Sequence, residues 1–160
     1  MKKRGQLLGQ PLVMIFALVV GALILTWGVY QVYKLVKISC DVEVADYVTG
    51  LKKDVQRYCY FEVGSSNRFI VNLPCDFNYV CFASHEIPFF GSTDKPSNYN
   101  PTFVALRNNS NVFVYSSKSV LAYYVPCLRA PASQNPLCVR NNMPIVLTSR
   151  GNYVEVSKAS

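Results

Sequence analysis

Residues 12–36, LVMIFALVVGALILTWGVYQVYKLV, leave this chain few ways to fold. The first fourteen of them carry no polar side chain, and Thr26 and Gln31 are the only polar ones before Lys34. As a helix the run is roughly 37 Å long, enough to cross a hydrocarbon core of about 30 Å with some tilt. A 160-residue chain has little core in which to hide such a helix on all sides, so the run reads as a membrane span. Trp27, Tyr30 and Tyr33 set amphipathic rings near its C-terminal end, and Lys34 and Lys37 can snorkel beyond them.

The span also explains the charge. The chain carries +7, but Lys2, Lys3, Arg4, Lys34 and Lys37 flank the apolar run. The other eleven Lys and Arg face nine acidic residues, a balance of only +2. The basicity is that of an anchor rather than of a nucleic-acid binder. All six cysteines, Cys40, Cys59, Cys75, Cys81, Cys127 and Cys138, follow the span, which suggests disulfides and an extracytoplasmic domain. A zinc site would have to be assembled from Cys75, Cys81 and His85, with no CxxC pair to support it. The tripeptide Asn108-Asn109-Ser110 is a glycosylation candidate at Asn108 and agrees with an outside location. Lysines and arginines are balanced across the span, so orientation rests on the cysteines and on the shortness of the N-terminal tail. Together these place the N-terminus in the cytoplasm and the C-terminal domain outside, on a single-pass protein of the cell membrane.

The apolar run is too long for a secretory signal, and it ends in aromatics and lysines rather than small residues. A lipoprotein signal ending at Cys40 is opposed by Lys37 three positions upstream. The leader Met1-Lys2-Lys3-Arg4-Gly5-Gln6, followed by the apolar helix, resembles the archaeal type IV pilin signal. By that resemblance a membrane peptidase would cut between Gly5 and Gln6, with Arg4, Gly5 and Gln6 forming the processing site. The likeness covers about the first 25 residues. Gly9, Gln10 and Pro11 delay the uninterrupted apolar stretch relative to the most compact form of that signal.

Beyond the span, Cys40, Val44, Val48, Leu51, Val55 and Tyr58 recur at spacings of four and three with charges between them, the period of an amphipathic helix. No proline lies between Pro11 and Pro74, so span and stalk can form one helix, with Gly50 its softest point. Such a helix holds Cys40 and Cys59 roughly 28 Å apart, too far for a disulfide.

From Cys59 onward the period changes to two. Expected strands are 60–63 with 68–73 as a hairpin, 78–83, 102–106 with 112–115 as a second hairpin, 120–125, and 144–148 with 153–156 as a third. Breaker-rich loops fill 84–101 and 126–136. The fold class is therefore α+β: one long N-terminal transmembrane and stalk helix, then a small, mainly antiparallel β domain. The boundaries are a leader at 1–10, a span at 11–37, a helical stalk at 38–59 and a β-rich domain at 60–160. Loop closure favours Cys127 with Cys138 as the first disulfide, then Cys75 with Cys59 or Cys81, leaving Cys40 free or available to a neighbouring subunit.

His85, the one histidine, stands beside Glu86 and Ser84, but neighbours on an extended chain point to opposite sides and form no triad. No phosphate loop, metal motif or nucleophile elbow is present, so no enzyme and no cofactor is expected, and no small-molecule substrate is identified. Tyr123-Tyr124 and Phe89-Phe90 are either sheet core and cross-strand pairs or an adhesive or ligand-binding face. The expected role is a pilin-like structural subunit with membrane lipid and copies of itself as partners. The alternative is an unprocessed single-span protein whose outer domain binds a ligand or partner protein.

Overall fold

In a computed structural model, residues 6–88, 94–106 and 109–159 are described. Helix α1 runs from Gln6 to Cys59 without a break and keeps Pro11 within its early turns. It is long and apolar enough to cross a membrane, with a mean hydropathy of 2.6 over its most apolar 18 residues, none of them buried. The chain divides into two compact units, Met1–Asp41 and Val42–Ser160. The second unit, the head, takes in the end of α1 and all the strands. Residues 42–59 therefore serve as a core element of the head.

The head contains two four-stranded sheets. The strands are β1 (Ser66–Ile70), β2 (Phe77–Phe82), β3 (Val112–Ser116), β4 (Val120–Tyr123), β5 (Leu128–Arg129), β6 (Leu137–Arg140), β7 (Pro144–Ser149) and β8 (Val154–Lys158). One sheet has the order β1-β7-β8-β5 and the other β4-β3-β2-β6. Every pairing is antiparallel except β5 with β8. The α1 stripe anticipated by its spacing, Val44, Val48, Leu51 and Val55, is buried in one apolar cluster with Val80 and Phe82 of β2, Ile145 and Leu147 of β7, and Val154 and Val156 of β8. Alternate residues of β2, β3 and β6 (Cys81, Phe113, Tyr115 and Cys138) face the other way into a second cluster. That second cluster is closed by α2 (Pro101–Leu106), whose Val104 is fully buried. A sheet covered on both faces explains why all five residues of β3 are buried.

Two expected hairpins are corrected. Residues 102–106 belong to α2 rather than to a strand. Asn100 caps the helix, its Oδ1 accepting the N–H groups of Thr102 and Phe103 at 2.9 and 3.3 Å, and Pro101 fills the first helical position, where no N–H is needed. Residues 60–63 are a helix exit and turn. Phe61 N–H reaches back to Tyr58 O, while β1 pairs along its length with β7, far away in sequence. The expected strand at 78–83 and the closing hairpin are present as β2 and as β7 with β8, with ends moved by one or two residues.

The cysteine pairing is corrected too. Cys127 bonds Cys59, and Cys138 bonds Cys81. Cys138 and Cys81 are directly opposite in the β2–β6 ladder, whereas Cys127 precedes β5 of the other sheet, so closeness in sequence did not become closeness in space. Cys40 and Cys75 are oxidised as well, and no cysteine is free.

The loop before α2 is tied down by Lys158, whose Nζ donates to Asp94 Oδ2 at 2.6 Å, and by Asn98, whose Nδ2 donates to Ser116 O at 2.9 Å. The Lys158 ammonium holds the Asp94 carboxyl below the ordinary value of 3.8. A depressed carboxyl adds stability that is complete above that ordinary value and is lost as pH falls through the folded one. Amide protection in residues 94–100, taken relative to the intrinsic exchange rate at each pH, is therefore expected to fall on acidification below 3.8, and Asp94→Asn to show the lower protection already at neutral pH. In the core, Val55→Ala is expected to cost the detergent-solubilised protein about 2 kcal/mol in urea unfolding, against under roughly 0.5 kcal/mol for the exposed Lys52→Ala.

Candidate functional site

Two surfaces are candidates for contact. The first, on the first unit, is the outside of α1. Large apolar side chains are exposed on every side of it from Leu12 onward, Leu25 at 71% and Trp27 at 65% among them. Thr26, the first polar side chain within this run, turns its hydroxyl inward and shares it between Ala22 O and Leu23 O, both at 2.9 Å, so it presents no unpaired group to an apolar surrounding. Of the anticipated processing residues, Gln6 is the first residue of α1, and Arg4 and Gly5 lie outside the described residues. The glycosylation candidate Asn108 and the pair Phe89-Phe90 also lie outside them.

The second surface is a cleft of about 330 Å³ in the head, near the Cys59–Cys127 bond at the end of α1. Two buried asparagines, Asn111 and Asn135, hold the backbone around it, and a half-buried third, Asn141, acts in the same way on a segment outside the cleft. Asn111 Oδ1 accepts the Val125 N–H at 2.8 Å, and its Nδ2 donates to Val125 O at 2.7 Å and Leu128 O at 3.1 Å. Asn135 treats Ser84 in the same way, accepting its N–H at 2.9 Å and donating to its carbonyl at 2.7 Å, and it donates further to Ile87 O at 2.7 Å. Asn141 clasps Leu73 at 2.8 and 3.1 Å.

Leu73 and Val125 each precede a Pro-Cys pair, Pro74-Cys75 and Pro126-Cys127, in which the cysteine takes a positive φ of 54° or 65°. The residue before a proline is held extended, and the proline has no N–H with which to continue a ladder. A side-chain amide, which offers one donor end and one acceptor end as a peptide does, stands in for the missing strand. Each clasp satisfies backbone groups that would otherwise be buried unpaired.

Around this framework lie the polar groups. His85 Nε2 is 2.7 Å from Ser110 O, and since a carbonyl only accepts, that nitrogen carries the proton. His85 thus tethers the 84–88 segment to the β3 approach. Arg129 directs Nη2 at both carboxylate oxygens of Glu86, at 2.8 and 3.1 Å, while its guanidinium lies 4.7 Å over the Tyr153 ring. Tyr124 and Asn152 complete the wall. Among the described residues no group of three or more His, Cys, Asp or Glu could hold a metal ion, and the Cys75, Cys81 and His85 set is dispersed because both thiols are in disulfides.

The sequence points to His85, its neighbour Glu86 and the Tyr123-Tyr124 pair, of which Tyr124 lines the cleft, but not to Arg129, Tyr153 or the three asparagines. Glu86 and Arg129 are 43 residues apart, with no local spacing to link them. The one available signal was the repeated apolar-Pro-Cys triplet, which marks where a clasp is needed. Compared with known proteins, the chain matches no family model, no curated protein and no solved structure.

Asn135→Ala is expected to destabilise the head by about 2 kcal/mol in urea unfolding, because it strands the buried Ser84 N–H and takes a donor from the Ser84 and Ile87 carbonyls. Asn135→Asp should cost more at neutral pH, since a carboxylate would face those carbonyls, and the gap between the two variants should narrow on acidification as the carboxyl is protonated.

Proposed function

We propose that the protein is a membrane-anchored, pilin-like structural and interaction subunit, with α1 as both anchor and assembly helix and the head displayed outside the cell. The observation that carries this reading is the exposed apolar surface of residues 12–36, far more than an aqueous protein leaves uncovered. Two surroundings satisfy such a surface: lipid, or the same helices of neighbouring copies packed side by side. The cysteines support the placement of the head, because a small domain with every thiol oxidised belongs in an oxidising compartment. The leader carries the pilin resemblance, with cleavage between Gly5 and Gln6, and the N-terminus on the cytoplasmic side.

A second reading is favoured by the cleft: an uncleaved, single-span protein whose head binds a ligand or partner without polymerising. The fate of residues 1–5 separates the two. The intact mass of protein purified from its native membrane is expected to lack residues 1–5, and filaments in the same preparation are expected to contain the shortened chain. A mass that retains Met1 selects the second reading. Reduction should add about two mass units per bridge, and unchanged mass on reduction would remove the extracytoplasmic placement.

A further inference from the structure

We propose that the head binds a neutral carbohydrate in the cleft beside the Arg129–Glu86 pair, with the C–H face of a pyranose ring laid on Tyr124 and adjacent hydroxyls shared between Arg129 and Glu86. This inference goes beyond the anchoring and assembly of the chain and does not depend on whether the leader is cut.

Size is the first argument. A cleft of about 330 Å³ falls at the small end of ligand pockets and suits one or two sugar rings. Charge is the second. Arg129 and Glu86 bond each other, so the wall offers both signs with no net charge. An anion would meet the Glu86 carboxylate, and a cation would meet the guanidinium. A neutral ligand with many hydroxyls suffers neither repulsion and can use both groups, donating to a carboxylate and accepting from a guanidinium.

Reach is the third argument. The Arg129 and Glu86 side chains are 36% and 67% exposed, so both can be approached from solvent. Glu86 occupies Nη2 alone of the two terminal guanidinium nitrogens, and the Tyr153 ring beneath the guanidinium helps hold it in place before any ligand arrives. Pre-set geometry lowers the ordering cost of binding. The fourth argument is the ring at the rim. Tyr124 is 61% exposed although it follows directly on β4, and a flat ring beside paired polar groups matches a molecule with one apolar face and an edge of hydroxyls. The Asn111 and Asn135 clasps hold the segments carrying Tyr124, Glu86 and Arg129 in register.

The test uses the full chain in dodecylphosphocholine micelles, because sugar-headed detergents would compete. Saturation-transfer NMR is run with the methyl glycosides of glucose, galactose, mannose and N-acetylglucosamine, and with a trisaccharide of each. At least one is expected to receive saturation at its ring C–H protons with a Kd on the order of 1 mM, as a dozen-atom ligand at ordinary efficiency would have. Binding by a methyl glycoside assigns recognition to a free or terminal sugar, and binding by trisaccharides alone assigns it to an internal residue of a glycan. Tyr124→Ala and Arg129→Ala should each weaken it roughly tenfold or more, whereas Tyr124→Phe, which keeps the ring, should bind as the parent does. Intact mass without reductant checks that each variant retains its disulfides. Silence from all eight sugars at 50-fold the expected Kd would overturn the proposal, as would binding that Tyr124→Ala leaves unchanged in a fully oxidised protein.

Discussion

The head depends on one stripe of a helix. Val44, Val48, Leu51 and Val55 are buried among residues of both sheets, and no other element contributes so many side chains in succession to that cluster. Each side chain of this size contributes roughly 1.5–3 kcal/mol by leaving water, a large share for a domain of this length. The same helix has no such stripe in its first unit, where its apolar surface is continuous and exposed. One unbroken backbone thus carries two patterns, apolar on all sides and then on one side only. The change between them coincides with the boundary of the head at Val42.

A small domain with one core helix and two short-stranded sheets leaves many backbone groups where no strand can reach. β5 has two residues, and the chain passes two Pro-Cys pairs that cannot extend a ladder. Disulfides and asparagines meet that need in different ways. The Cys59–Cys127 and Cys81–Cys138 bonds limit the unfolded chain, closing separations of 68 and 57 residues. The asparagines act in the folded state by pairing peptide groups that would otherwise be buried alone. In the second cluster one polar atom is left over: the Tyr115 hydroxyl is buried with no partner among the described residues, and burial, together with the neighbouring Tyr99, pushes its ionisation upward. The economy of pairing in the clasps is not carried through the whole interior.

This division between periodic and non-periodic structure explains what could be read from the sequence. The apolar run, the α1 stripe, β2, and the β7–β8 hairpin are set by side-chain period and by a Gly-Asn turn, and they were legible. The helix α2 was readable in principle from Asn100-Pro101, a cap followed by a first-turn proline, but the β-branched Thr102 and Val104 with Phe103 outweighed it. Partners distant in sequence were not legible. β1 could have paired with any strand of like pattern, and Cys138 found Cys81 because β6 lies against β2, a fact of topology rather than of spacing. The cleft is of this second kind, since its wall is drawn from the 84–86 segment, the exit of β4, β5 and the β7–β8 turn.

The position of the cleft then follows from the architecture. Sheet ends and connections, not sheet faces, are the places where this head can vary without disturbing its core, because both faces of the β4-β3-β2-β6 sheet are already covered. Tyr124, Arg129 and Tyr153 lie at ends of β4, β5 and β8, close to the bond joining Cys127 to the last residue of α1. That bond and the Asn111 clasp fix the same short stretch of chain from two sides. A stretch so fixed can hold exposed polar and aromatic groups in a set geometry, which loose connections on a small domain cannot do. Rigidity where the strands end is therefore what allows a domain with so little regular structure to offer a shaped surface at all.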